Sequence, residues 1–170
     1  GLAFIILDFA VWLQHVAMHR LPILWRMHAV HHSDRDLDAT TALRFHPFEL
    51  IVSTFYKSAW VALLGVPVMI ALAFELWLNA NALFNHSNIK LPPVADRWVR
   101  RLLVTPDMHL VHHSIILSDQ RQNYGFALTI WDRMFGTYAP YQSQQPIGLA
   151  SVQDARPAQL KWSMLAPFRT

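Results

Sequence analysis

An all-α helical bundle embedded in a membrane is the fold class this 170-residue sequence predicts, and three observations predict it. First, 54% of the chain is hydrophobic, only 15% is charged, and the mean hydropathy is +0.22. About 45–50% apolar is usual for a soluble domain. Second, residues 48–83 are apolar apart from isolated lapses and a break at Gly65-Val66-Pro67. Each leg is long enough, at about 17–19 residues or roughly 27 Å of helix, to cross one hydrocarbon layer. The legs therefore form a hairpin that returns to the side it left. Third, eight of the ten histidines fall in three clusters: His15 and His19; His28, His31 and His32; and His109, His112 and His113. At i, i+3, i+4 spacing on a helix such side chains share one face. Random placement would give about 0.03 copies of H-x-x-H-H in a chain like this, so two copies are a motif. His46 opens the hairpin and His86 closes it, which puts both at the same interface.

Taken in order, residues 1–19 read as an apolar helix ending in the first histidine pair. The chain begins inside this apolar segment, and the expectation is a fragment whose earlier membrane helices lie outside it. Asp8 stands two helical turns before His15, on the same face. A carboxylate there is costly and normally faces a bundle interior. It reads either as the partner of a ligating imidazole or as a packing carboxylate satisfied by a neighbour. Pro22 breaks the helix. A second helix, from near Ile23, should carry Trp25, His28, His31 and His32. Residues 33–38 read as a helix end and a solvated loop, and Pro47 suits the first position of the next helix. Within the hairpin, Lys57 and Glu75 lie on opposite legs, where they can pair, snorkel, or mark the legs as short and shallow.

Leu91-Pro92-Pro93 ends the hairpin. Residues 96–103, with Arg97, Arg100 and Arg101 around Trp98, Leu102 and Leu103, read as an interfacial amphipathic helix. Thr105 as N-cap and Pro106 at the first position start the helix that bears the last histidine box, with Asp107 in its first turn. Asp132 interrupts the apolar stretch 127–135. Residues 1–140 are expected to form the functional domain. Residues 141–170 read as a C-terminal tail, a poorly specified extension with one amphipathic patch at 160–168.

The net charge of +3 is spread along the chain without a nucleic-acid motif, so no nucleic-acid partner is expected. The basic residues read as flanking charges facing water or anionic headgroups. The absence of cysteine excludes disulfides, Cys-ligated iron–sulfur clusters, thiolate-ligated haem and Cys-type zinc sites. There is no G-x-G-x-x-G either, so reducing equivalents for any redox chemistry must come from another protein.

Burying so many imidazoles without partners would cost several kcal/mol, and metal ions are the natural partners. Eight to ten histidines are too many for one ion, whereas two ions with four or five each fit. A structural zinc needs only four ligands. A zinc-dependent membrane hydrolase would want a carboxylate base of the H-E-x-x-H kind, which is missing. A non-catalytic membrane metal- or haem-binding protein is the other alternative, although bis-His haem uses only two imidazoles. A nitrogen-rich di-iron centre that activates O2 is the best match, which completes the predicted fold with a di-metal site at one membrane interface.

The order H-x-x-x-H, H-x-x-H-H, hairpin, H-x-x-H-H resembles the fatty acid hydroxylase / sterol desaturase superfamily. The flanks agree: Phe45-His46-Pro47-Phe48-Glu49, Phe84-Asn85-His86-Ser87-Asn88-Ile89, Asn123-Tyr124-Gly125, and Trp131-Asp132-Arg133-Met134-Phe135-Gly136-Thr137-Tyr138. The resemblance covers residues 5–140. It implies an integral membrane oxygenase with two iron ions, zinc being able to occupy the site on purification. O2 would be the co-substrate, a lipid the substrate, and a cytochrome b5-like or ferredoxin-like protein the electron donor. It also implies that the histidine boxes face the cytoplasm. Carried over by position, the ligands are His15, His19, His28, His31, His32, His109, His112 and His113, with His86 as a ninth. His46 stands between two roles, a ligand as its H-P-x-E setting suggests or a cap for the hairpin. Asp8, Asp107 and Asp132 are the candidates to orient the ligands. Ala82 stands where fungal and animal fatty acid 2-hydroxylases carry a further histidine, which departs from that branch. Either hydroxylation or desaturation of an unactivated C–H is implied, with hydroxylation preferred as the family's shared elementary step.

Overall fold

The computed structural model describes residues 1–140 and 146–169. Among these residues the chain is all-helical, without a β-strand. Helix α1 (Leu2–Arg20) ends where Leu21 turns extended ahead of Pro22, because a residue before proline is pushed out of the helical region. Helix α2 (Pro22–His28) starts on that proline itself. It is shorter than the sequence suggests. The chain turns at Ala29 and Val30 and tightens into a 3₁₀ turn, His31–Ser33, so the second histidine box is not one continuous α-helix.

The hairpin is α3 (Pro47–Leu63) and α4 (Val68–Asn85). Gly65 adopts φ +60° between them, a conformation that glycine enters without a Cβ penalty. Pro67 then caps α4. Lys57 Nζ donates to Glu75 Oε2 at 2.6 Å, so the two lapses pair across the legs. Helices α1 and α4 are long and apolar enough to cross a membrane. Leu7 and Val11 of α1 pack against Phe74 and Leu78 of α4, with Phe4 and Trp60 beside them. The outward side is equally apolar and uncovered: Phe55, Leu63, Met69 and Leu76 are each 74–77% exposed. An apolar surface this extensive on the hairpin matches lipid better than water.

Helix α5 (Pro93–Val99) carries Trp98, with the Arg101 guanidinium 4.0 Å above its ring, while Arg100 pairs with Asp96. Helix α6 (Pro106–His112) begins after Thr105, as its sequence predicts, although the Thr105 hydroxyl makes no cap bond. Short helices α7 (Leu117–Gln120) and α8 (Ile130–Met134) follow.

Residues 146–169 are more tightly specified than a loose extension. Gly148 N–H donates to the His113 carbonyl and Ile115 N–H to that of Pro146. Helix α9 (Leu160–Leu165) buries Trp162. The tail thus lies against the histidine end of the bundle. The sequence conceals this because its anchors are mostly backbone groups.

Candidate metal centre

The ends of α1, α2, α4 and α6 meet at one end of the hairpin, and nine histidines meet there with them. His15, His19, His28, His32 and His112 each bring a potential ligand atom within 4.8 Å of the others. His31, His86, His109 and His113 form a second such group. All nine are buried. The H-x-x-H-H spacing divides between the groups in a regular way. In each box the outer two histidines, four residues apart, join one cluster and the middle one crosses to the other. His28 and His32 enter the five-histidine group while His31 crosses, and His109 and His113 enter the four-histidine group while His112 crosses. Successive helical residues are rotated by about 100°. Along α6 the third and fourth residues after His109 therefore diverge to either side of it, whereas in the second box the 3₁₀ turn at His31 makes the same division.

Hydrogen bonds on the far side of the rings aim them. His15 Nδ1 lies 2.7 Å from the Tyr124 carbonyl, His112 Nδ1 2.8 Å from that of Gln122, and His86 Nδ1 2.7 Å from that of Ala82. A nitrogen facing a carbonyl must carry the proton, which leaves Nε2 as a bare lone pair in a neutral ring. His15 and His112 nevertheless bring their Nε2 atoms to 3.0 Å. His28 Nε2 is 3.1 Å from that of His15, and His86 Nε2 is 3.0 Å from those of both His31 and His109. Where both rings carry the proton on Nδ1, as His15 and His112 do, lone pairs held this close repel unless a cation lies between them. Two imidazole nitrogens each about 2.1 Å from one ion, at right angles, stand about 3 Å apart. In addition, His19 Nε2 and both nitrogens of His32, in the five-histidine group, have no hydrogen-bond partner although buried. Each such orphan costs about 1–3 kcal/mol. The residues therefore fit two transition-metal ions held by nitrogen, without thiolate.

Burial, reinforced by neighbouring imidazoles, pushes His31, His32, His109 and His113 well below the usual histidine range. Burial likewise lowers His112, aided by His15, and brings His86 to about 4. The rings are neutral at pH 7, the form that ligates metal.

Glu49 is the carboxylate that touches a histidine, with Oε1 2.6 Å from His28 Nδ1. Sequence reasoning passed over it in favour of three aspartates, none of which bonds to an imidazole. Asp8 accepts from Trp131 Nε1 at 2.7 Å. Two turns of helix, about 10 Å, separate it from the level of His15. Asp107 is partly buried in the first turn of α6 and bonds to none of the histidines. Asp132 acts at one remove. It accepts from Trp12 Nε1 and the Thr137 hydroxyl, and from the N–H groups of Tyr124 and Gly125 at 2.9 and 2.7 Å. It thereby fixes the loop whose Tyr124 carbonyl aims His15. The signal for Glu49 was present in its burial-prone position on an apolar hairpin leg, one turn after His46. His46 itself lies outside both clusters. Its Nδ1 accepts from Phe48 N–H at 3.2 Å, capping α3, and its Nε2 lies 3.3 Å from the Met164 carbonyl.

A helical bundle with an apolar hairpin and two all-histidine clusters at one end, each able to hold a metal ion, defines the class of protein. Within that class the chain belongs to the fatty acid hydroxylase family, whose profile matches residues 1–137. It is 30% identical over 154 residues to the ornithine lipid hydroxylase of Rhizobium tropici, covering 87% of this chain and 44% of that one. It is 28% identical over 152 residues to human alkylglycerol monooxygenase, covering 86% of this chain and 32% of the relative. The cholesterol 25-hydroxylase of Rattus norvegicus is 27% identical over 159 residues, covering 89% and 51%. The chain thus spans about half the length of these relatives or less. No solved structure matches it. The family and the two helices long and apolar enough to cross a membrane, α1 and α4, mark it as a membrane protein.

Proposed function

We propose that this chain is the catalytic part of a membrane-bound, O2-dependent lipid oxygenase that hydroxylates an unactivated C–H bond. The observation that carries the reading is the pair of nitrogen-only clusters, in one of which the His15 and His112 lone pairs face each other at 3.0 Å. In this reading the five histidines His15, His19, His28, His32 and His112 hold one iron ion. His31, His86, His109 and His113 hold the other, and His46 holds none. Two reduced iron ions would supply O2 activation. The balance is R–H + O2 + 2 e⁻ + 2 H⁺ → R–OH + H2O, and the electrons come from a cytochrome b5-like or ferredoxin-like donor at the cytoplasmic face.

The protein's own contribution is to hold and to exclude. The Tyr124, Gln122 and Ala82 carbonyls and the Glu49 carboxylate fix ring orientation, a role in which such partners are worth about 10–100-fold in affinity. Complete burial of the inner histidines keeps water from the reacting carbon. On an iron ion of up to about six ligands a four-histidine set leaves positions for exchangeable ligands, which a catalytic site needs and a closed structural site lacks. Residues 1–140 are the catalytic domain and the tail is its cover. Incubation of membranes containing the protein with a reductase system and ¹⁸O2, followed by lipid mass spectrometry, tests this. A labelled hydroxyl is expected. Loss of two hydrogens without label would mean desaturation, and no O2-dependent change in any lipid would refute the oxygenase reading.

A further inference from the structure

A cavity of about 130 Å³ opens between α1, α3 and α4 and ends at His15 and His28. Most of its wall is apolar, from Val11, Phe45, Leu78 and Phe126, as a lipid chain requires. Two polar groups in the wall are each only half used. Gln14 is only 8% exposed, and its amide is half satisfied: Oε1 accepts from the Ser53 hydroxyl at 3.3 Å, while Nε2 has no partner. Glu49 is 5% exposed. Oε1 is engaged by His28, and Oε2 has no partner. Both residues line this cavity.

The two groups belong to one place. Ser53, which Gln14 bonds, stands one turn after Glu49 on α3, and residues so spaced are about 6 Å apart. Gln14 thus faces the turn of α3 that begins at Glu49, next along α1 to His15. An orphaned amide and an orphaned carboxylate oxygen in an apolar wall each cost about 1–3 kcal/mol. Packing alone does not require the Gln14 amide, and orienting His28 uses only one of the two Glu49 oxygens. A group that accepts from Gln14 and donates to Glu49 would relieve both, and a hydroxyl does each. It also serves if the amide is turned the other way, because it can then donate to Gln14.

We infer that Gln14 and Glu49 form a subsite for an uncharged hydroxyl of the substrate, so that the lipid accepted is one with an alcohol close to the carbon held at the histidines. An anionic carboxylate or phosphate is disfavoured by the Glu49 carboxylate, because Lys57, which also lines the cavity, is already paired with Glu75. A bare hydrocarbon leaves both orphans unpaired, and sites built to bond a hydroxyl reject analogues that lack it. The inference rests on the cavity being the substrate cavity of the proposed oxygenase, but it is tested by binding, without turnover.

The full chain in lipid nanodiscs, loaded with zinc so that no reaction occurs, is titrated with radiolabelled hexadecanol and with hexadecane. At least tenfold tighter binding of the alcohol is expected, reduced to threefold or less in Gln14→Met, a substitution of similar volume that removes both amide groups. Metal content should be the same in both proteins, which separates loss of the subsite from loss of the metal centre. Equal binding of alcohol and hydrocarbon, binding of neither, or a preference that survives in Gln14→Met would overturn the assignment. The last result would mean that water fills the subsite. The ¹⁸O2 experiment above decides the oxygenase reading independently.

Discussion

Replacing Glu49 isolates the contribution of a single orienting carboxylate. In the wild-type site Glu49 Oε1 receives the His28 Nδ1 proton at 2.6 Å, which keeps His28 Nε2 free to face His15. Glu49→Leu removes the acceptor. The His28 proton is then free to move to Nε2, and the five-histidine cluster loses one of its donors. Removal of such a partner typically costs 10–100-fold in metal affinity, about 1.4–2.8 kcal/mol. Glu49→Gln keeps an acceptor oxygen but loses the charge, and about tenfold is expected at most. The metal-free fold should tolerate both changes, because Glu49 Oε2 is already without a partner and the leucine removes a buried charge. Chelator competition with zinc in detergent, followed by elemental analysis, should show one of two bound ions weakened by Glu49→Leu and the other unchanged. Unchanged affinity for both ions would refute the reasoning, as would equal weakening by the glutamine and leucine variants.

Three further outcomes follow from the same geometry. His46→Ala should lower stability by about 1 kcal/mol through loss of the α3 cap while metal content stays at the wild-type level; loss of an ion in this variant would make His46 a ligand. A Cβ on Gly125 would lie 2.8 Å from the Leu128 carbonyl oxygen and from Val104, and 3.0 Å from Asp132 Oδ2. Gly125→Ala should therefore cost about 1–3 kcal/mol by overpacking and disturb the loop that aims His15, seen as a lower Tm together with reduced metal content. The metal-free protein should lose stability in acid. His86, at about 4, and the other histidines lowered below 6.5 bind fewer protons folded than unfolded. Stability is then full above about pH 6.5 and falls as pH drops toward 4. A Tm in metal-free buffer that is flat between pH 7 and 4.5 would contradict this.

Much of the architecture was legible because hydrophobic length and proline–glycine punctuation are local signals. Gly65 and Pro67 marked the hairpin turn and Pro106 the start of α6, while the pairing of Lys57 with Glu75 was one of three readings and is the one realised. The nine histidines were legible as a group because their spacing is improbable. Their division into two sets was not, since it depends on where α2 stops: the 3₁₀ turn at His31 is set by tertiary packing that no single position announces. The orienting groups were least visible. The acceptors for His15, His112 and His86 are backbone carbonyls, which every residue carries, so side-chain identity says nothing about which ones serve. Glu49 lies 21 residues from His28 and becomes its partner only when α3 packs against α2. The aspartates looked better on helical spacing, but spacing along one helix does not bring a carboxylate back to an imidazole two turns away.

The central claim is that one chain holds two metal ions through two sets of histidines, and counting the ions tests it most directly. The full chain, loaded with iron(II) in detergent without O2 and freed of excess metal, should contain two iron ions per chain by elemental analysis. His19→Ala, in the five-histidine set, and His109→Ala, in the four-histidine set, should each leave about one ion bound. One ion or none in the folded wild-type protein, or loss of both ions from each variant, would contradict the account of two separately held ions.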